Sequence, residues 1–347
     1  MYQDVAIVFL QSDSGDDSNT VDGNTGDRHV AISCPSDLEY SNYHHTSRRG
    51  NLTAWKNGDQ LVLAVAAQNN NTIVVVHSVG PLIVEPWIDN PNVTALIWAG
   101  LGGSETGNGL VDVLYGAVNP SGRLPYTIAK SPSDYPASLE TGGSSTIEIN
   151  YSEGCVIASG QCGHSLTHAL CFCNSLFIDY RHFDAANIAP RYEFGFGLSY
   201  TQFKYENLSI VQNVIPNDTF AAATWREGKP VVNASTKPWF HIPRYNVTFV
   251  VQNTGVVAGT EIAQVYLHFP VSSGEPPSVL RGFLDVELQP GEGMSVTITL
   301  SYYDLSIWDV VNQSWMRANG TYSISVGASS RDFRLNGNVP LFPIVTD

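Results

Sequence analysis

Near residue 200 the hydrophobic pattern of this chain changes period once, and that change constrains the fold more than any single motif. Before it, β-branched runs alternate with helical faces. Val5–Leu10, Ile73–His77 and Thr94–Ala99 read as short strands. Asp59–Ala67 predicts a helix with Leu61, Val62, Ala64 and Val65 on its apolar face. Ser104-Glu105 offers a cap to a second helix with core face Leu110, Val111, Val113 and Leu114, ended by Gly116. Strands that alternate with helices imply a mainly parallel sheet covered by helices, an α/β sandwich. After residue 200 the helical period vanishes. Tyr245–Val251, Glu261–Phe269, Ser295–Leu300 and Thr321–Val326 alternate apolar and polar residues. Asn253-Thr254-Gly255, Gln289-Pro290-Gly291 and Asn319-Gly320 supply turns. Short strands with turns between them read as a β-sandwich of about 100 residues or more. Asn213–Ser235 has little pattern and predicts a long loop. The expected division is therefore 1–200 and 201–347, and no internal repeat is visible.

The 347 residues suffice for two domains. Lys and Arg number 17 against 32 Asp and Glu, a net charge of −15. Such a surface repels phosphate backbones and anionic lipid, which argues against nucleic-acid or membrane partners. The longest apolar runs are of strand length, too short to span a bilayer. Charged residues make up only 14% while Tyr and Trp are plentiful, a balance that suits a protein handling neutral sugars. Met1 is followed at once by what reads as an interior strand; no signal peptide is visible, and the N-terminus is expected not to be the start of a natural domain. Ten N-glycosylation sequons point nevertheless to a secretory history. They lie at Asn51, Asn70, Asn92, Asn150, Asn207, Asn217, Asn233, Asn246, Asn312 and Asn319.

The five cysteines are Cys34, Cys155, Cys162, Cys171 and Cys173. An odd number does not make a disulfide framework, and Cys-Phe-Cys beside His164 and His168 lacks the usual spacing of a zinc hairpin. No metal and no cofactor are expected. All five fall within His29–Gly50 and Cys155–Ser175, two segments that interrupt otherwise continuous motifs. Both read as translated introns, non-native inserts at 29–50 and 155–175; genuine surface loops are the rival reading.

The candidate chemistry follows the first strand. Val5–Leu10 runs into Ser12-Asp13-Ser14-Gly15-Asp16-Asp17, a polar acidic loop at the C-terminal edge of a sheet, where open α/β folds place their sites. That loop, with Val21-Asp22-Gly23-Asn24-Thr25-Gly26-Asp27-Arg28, resembles the acid/base loop of family 3 glycoside hydrolases, the secreted β-glucosidases of fungal type. Thr72–Trp87 with His77-Ser78-Val79-Gly80-Pro81, Ile97–Leu101, Asp112–Gly116 and Asn119–Pro125 extend the resemblance. So do Phe177–Arg181, Phe194–Thr201, Leu280–Phe283, Pro290–Glu292 and Asp304–Asp309, in family order. The resemblance implies an α/β sandwich at 1–200 followed by a fibronectin type III-like domain at 201–347. It also implies an N-terminal barrel that supplies the nucleophile and most of the sugar pocket, to which no residue here corresponds.

Retaining glycoside hydrolysis needs two carboxyl groups about 5–5.5 Å apart, one nucleophile and one acid/base. The position matching the family's acid/base Glu is Asp16, its carboxyl withdrawn by one carbon–carbon bond, roughly 1.5 Å. Misplacement of about 1 Å can cost on the order of 100-fold in rate. Where the family commonly has Gly-Tyr next, this chain has Asp17 and Ser18. The resemblance thus implies a β-glucosidase acting on terminal β-D-glucosyl residues, present here as a C-terminal portion expected to be inactive alone. A non-catalytic glycan-binding or scaffold module is the alternative. Asp13 and Asp22 are expected to cap turns, and Asp27 and Arg28 to pair. Trp55, Trp87 and Trp98 read as core or interface residues, and His77 as a satisfied core histidine. Gly100–Gly109 lacks the lysine and the spacing of a nucleotide loop.

Overall fold

The computed structural model describes residues 3–12, 52–136, 176–213 and 220–341. The chain forms two compact units. One takes Met1–Tyr115, Tyr126–Ile149 and Ala189–Tyr192; the other takes Gly116–Pro125, Asn150–Ile188 and Glu193–Asp347.

The first unit holds a three-stranded parallel sheet of β1 (Ala6–Ser12), β2 (Thr72–Ser78) and β3 (Val93–Trp98), in that order. The three runs read as strands are all strands. Helix α1 (Gly58–Ala66) lies in the crossover from β1 to β2. Its buried stripe is Gly58, Val62 and Ala66, spaced by four, with Leu63 and Val65 half-buried beside it. Leu61 is 49% exposed and Ala64 also faces solvent, so the expected apolar face is turned by part of a helical step. Val62 joins Val8, Leu10, Val74, Val76, Leu82, Val84 and Trp87 in one core. Helix α2 (Thr106–Leu114) follows β3, but none of its residues is buried and Val111 is 50% exposed. Its expected cap also differs. Gly103–Glu105 is a 3-10 turn without a side-chain cap, and the Thr106 hydroxyl donates back to the Gly103 carbonyl at 2.7 Å.

The second unit begins with α3 (Tyr180–Ala185) and β4 (Phe203–Gln212). Within Asn213–Ser235, expected to be a loop, the chain instead forms α4 (Phe220–Arg226), and α5 (Pro238–His241) follows shortly after. Ala222, Trp225, Ala234 and Phe240 there are fully buried, so a few large side chains hold it against the sandwich without a long periodic stretch. Then come β5 (Tyr245–Asn253), β6 (Gly259–His268), β7 (Val279–Leu288) and β8 (Gly293–Leu300). The short hairpin of β9 (Ser306–Asp309) and β10 (Ser314–Arg317) precedes β11 (Ser323–Gly327) and β12 (Phe333–Asn338). Two antiparallel sheets, β12-β11-β6-β7 and β4-β5-β8, make the sandwich. β5 alternates without a break: Tyr245, Val247, Phe249, Val251 and Asn253 face inward. The buried Asn253 holds the turn to β6. Its Oδ1 accepts from Thr201 Oγ1 (2.7 Å) and Gly255 N (3.0 Å), and its Nδ2 donates to the carbonyls of Val257 and Leu288.

β6 is buried on both faces because the segment before β4 covers its outer side. Tyr180 packs edge-on against Tyr266, and Gln264 Nε2 donates to the carbonyls of Gly195 and Ala328. Gly195 has φ +79, and a Cβ there would stand 2.3 Å from Gln264 Oε1, so only glycine fits. Arg123 reaches the same unit's interior and pairs with Glu261 at 2.7 Å, both side chains nearly inaccessible. Tyr205 donates its hydroxyl to the other Glu261 oxygen at 2.7 Å; burial, then the Glu261 charge, push that phenol far above its ordinary pKa.

Candidate functional site

β1, β2 and β3 all end at one edge of the parallel sheet, at Ser12, Ser78 and Trp98. Backbone bonds tie that edge together: Val79 N donates to the Ser12 carbonyl (3.1 Å) and Ala99 N to the Val76 carbonyl (2.9 Å). A depression of about 380 Å³ opens there, lined by Phe9, Leu10, Gln11, His77, Gly100, Leu101, Gly102, Gly103 and Thr106. Sheet register explains its floor. Phe9 and Gln11 point away from the core that Val8 and Leu10 join, and Gln11 lies opposite His77. The Phe9 and His77 rings are within 8° of parallel, with centroids 6.3 Å apart.

His77 Nδ1 lies 3.1 Å from the Gly100 carbonyl. A carbonyl can only accept, so Nδ1 is the donor in this contact. Gly100 (φ +59) and Gly103 (φ +65) turn the chain through the left-handed region around this rim. Among the described residues the lining offers an aromatic face, an imidazole and backbone groups, and no carboxylate. It can seat and orient a neutral polar ligand. It does not by itself bring two carboxyl groups together. Ser12, the last residue of β1, is buried, with its Oγ unpartnered. The acidic loop departs from it, and Asp13, Asp16, Asp17, Asp22, Asp27 and Arg28 lie outside the described residues.

The glycosyl hydrolase family 3 C-terminal domain matches residues 1–200, and the fibronectin type III-like domain matches residues 261–330. The chain belongs to glycosyl hydrolase family 3. It is 44% identical over 336 residues to "Probable beta-glucosidase L" of Neosartorya fischeri, an alignment covering 96% of this chain and 38% of that protein. With "Beta-glucosidase cel3A" of Pyricularia oryzae it shares 42% over 342 residues, 97% of this chain and 39% of the relative. The crystal structure of the β-D-glucoside glucohydrolase of Trichoderma reesei matches with a TM-score of 0.75 at 41% identity, covering 97% of this chain and 40% of that one. The family 3 chain thus spans about two-fifths of the length of these relatives. The mainly parallel α/β unit and the antiparallel sandwich are those the sequence reading expects.

Within this family 3 chain the tryptophans fall where packing needs them. Trp87 is buried, and its Nε1 donates to Asp59 Oδ1 at 2.8 Å. Burial lifts the Asp59 carboxyl above its ordinary pKa, against the lowering effect of that bond. Trp98 is half-buried, and its Nε1 donates to the Tyr126 hydroxyl at 2.7 Å. Trp55 is half-buried too, its Nε1 without a partner. His77 departs from the reading as a core histidine: it is half-buried and lines the depression, because it lies next to the end of β2 on the face α1 does not cover. Phe9, Gln11 and the rim 100–103 went unrecognised. The signal available was the period of two in β1, masked because Val5–Leu10 is apolar on both faces. Arg191 was also missed. It clamps Glu85 with two bonds of 2.5 Å and Asp89 with two of 3.0 Å, and the Glu85 bonds foremost raise its pKa. Among the described residues no cluster of His, Cys, Asp or Glu could hold a metal ion, and no helix is long and apolar enough to cross a membrane. The cysteines and both candidate inserts lie outside the described residues.

Proposed function

We propose that this chain is the C-terminal part of a secreted β-glucosidase that cleaves terminal non-reducing β-D-glucosyl residues by a retaining mechanism. The observation that carries the reading is the family match over 1–200, whose first strand ends at the sheet edge where the depression opens. In this reading Asp16 stands in the acid/base position. It protonates the leaving oxygen and then activates water. The nucleophile and most of the glucose pocket come from a barrel domain outside these 347 residues. Partners are β-glucoside oligosaccharides and that barrel, with no cofactor. The domain division at 200/201 belongs to the same proposal, supported by the two matched spans.

The test is hydrolysis of a chromogenic β-glucoside. The chain alone is expected to give none. Supplied with a separately expressed family barrel, it is expected to gain activity, and Asp16→Glu to raise that activity by on the order of 100-fold. Turnover by the chain alone that Asp16→Ala abolishes would overturn the division of labour. The aromatic face and imidazole that the described lining of the depression offers support a second reading, a glycan-binding module without catalysis. Saturable oligosaccharide binding that neither Asp16→Ala nor the barrel alters would favour it.

A further inference from the structure

We propose that Asn70, Asn207, Asn233 and Asn319 carry N-linked glycans in the folded protein and that Asn92 does not. The inference rests on the secretory reading for its biology, but its geometry is independent of it. All five meet the same short pattern, so the sequence alone ranks them equally. The fold separates them by what each amide touches.

Asn92 is half-buried just before β3, and its Nδ2 donates to the Ala66 carbonyl at 2.8 Å. That bond satisfies one of the carbonyls α1 leaves open at its C-terminus. A sugar replaces one of the two Nδ2 protons and would have to be fitted into this half-buried setting beside the end of α1. The other four are exposed, and among the described residues none has its Nδ2 engaged. Asn70 sits in the connection from α1 to β2, at the N-terminal edge of the sheet, the edge away from the depression. Asn207 (φ +58) stands at the register break in β4, the outer strand of its sheet. A glycan there would also keep that edge from pairing with another chain. Asn233 (φ +55) precedes the 3-10 turn Ala234–Thr236, and Asn319 lies with exposed Gly320 and Thr321 in the turn before β11. Asn246, half-buried on the central strand β5, and Asn312, whose Nδ2 is held by Asp309 at 2.5 Å, fall between the two groups.

In the transfer the Asn Nδ2 bonds to the anomeric carbon of a lipid-pyrophosphate-linked oligosaccharide. The carbon–oxygen bond to pyrophosphate breaks, and one Nδ2 proton goes to the transferase's base. Transfer precedes folding, so the fold acts as a filter: chains modified at Asn92 have to disturb the packing around the end of α1 to hold the sugar, and fewer of them mature.

The test is site-by-site occupancy of the full chain, expressed behind a secretory leader in yeast. Folded, protease-resistant protein is deglycosylated enzymatically in heavy-oxygen water and its peptides are quantified by mass spectrometry. Each of the four exposed sites is expected to be several-fold more occupied than Asn92. Any one of them at or below Asn92 overturns the proposal. Chain made without glycans in bacteria gives a second measurement. Asn92→Ala is expected to lower its melting temperature or prevent folding, and Asn319→Ala to leave it unchanged; an equal response of the two overturns the proposal. Recovery of the natural protein from its host's culture medium tests the secretory reading separately and does not bear on this ranking.

Discussion

In the antiparallel unit, Tyr245, Val247, Phe249 and Val251 of β5 have no exposure at all. In the parallel unit, Ile7 and Phe9 of β1 are 41% and 56% exposed. The difference follows from sheet architecture. A sandwich needs to bury one face per sheet, and two sheets bury each other. A parallel sheet needs cover on both faces. Among the described residues only one face of the first unit's sheet has a full cover, from α1, Leu82, Val84 and Trp87. The other face carries Phe9 and His77 and runs out into the depression. The antiparallel unit buries its central strand, and the parallel one presents an open depression.

The strongest way to break this comparison is to injure each core. Trp225 stacks on Tyr302 with centroids 4.0 Å apart and donates Nε1 to Ser306 Oγ at 2.7 Å. Trp225→Ala is expected to cost about 3–5 kcal/mol in urea unfolding followed through the sandwich. Val62→Ala in the parallel unit is expected to cost about 2 kcal/mol. If the second loss exceeds the first, the ranking of the two cores is wrong. Next comes the buried pair. Arg123→Met leaves Glu261 charged and uncompensated inside the sandwich and is expected to cost about 3 kcal/mol. Adding Glu261→Gln, with Tyr205 still able to donate to the amide oxygen, is expected to restore most of it. A double variant as weak as the single one would show that the cost is packing, not charge.

The pH dependence sharpens the picture of the open unit. Burial raises the Asp59 pKa in the folded state, so the native form keeps a proton that the unfolded chain has released. That contribution is full below the unfolded value of about 3.9 and is lost as pH rises through the raised folded value. The parallel unit should therefore gain stability on acidification through that window. Asp59→Asn retains an acceptor for Trp87 Nε1 and should flatten the slope. An unchanged slope in melting curves from acid to neutral pH would assign it to other groups; Asp184 and Glu275, also raised by burial, are the candidates in the sandwich. The smallest effect belongs to α2. Val111→Lys is expected to change stability by no more than about 0.5 kcal/mol, since that side chain is half in water. A loss as large as that of Val62→Ala would mean that α2 has a cover.

Legibility in the sequence tracked burial. The β5 pattern was readable because each inward residue from Tyr245 to Val251 is apolar and the outward ones between them are on the whole less so. β4, β7 and β12, edge strands with few buried side chains, gave no clear alternation and went unread. α4 was hidden because a seven-residue helix, about two turns, anchored by Ala222 and Trp225 is too short to show a period. At the site the acidic loop was legible as composition following a strand. The partnership of Phe9, Gln11 and His77 was not, because it depends on which residues of two strands, some 65 positions apart in the chain, stand side by side.

The order of apolar and polar residues alone determined that a parallel α/β unit precedes an antiparallel sandwich, since each period is a local consequence of backbone geometry. It determined the family as well, through short motifs in a set order. Tertiary structure decided which side of α1 is buried, where His77 faces, and which asparagine amides are already spent. Those depend on contacts between distant segments, and a pattern of neighbours along the chain does not encode which distant surface will meet them.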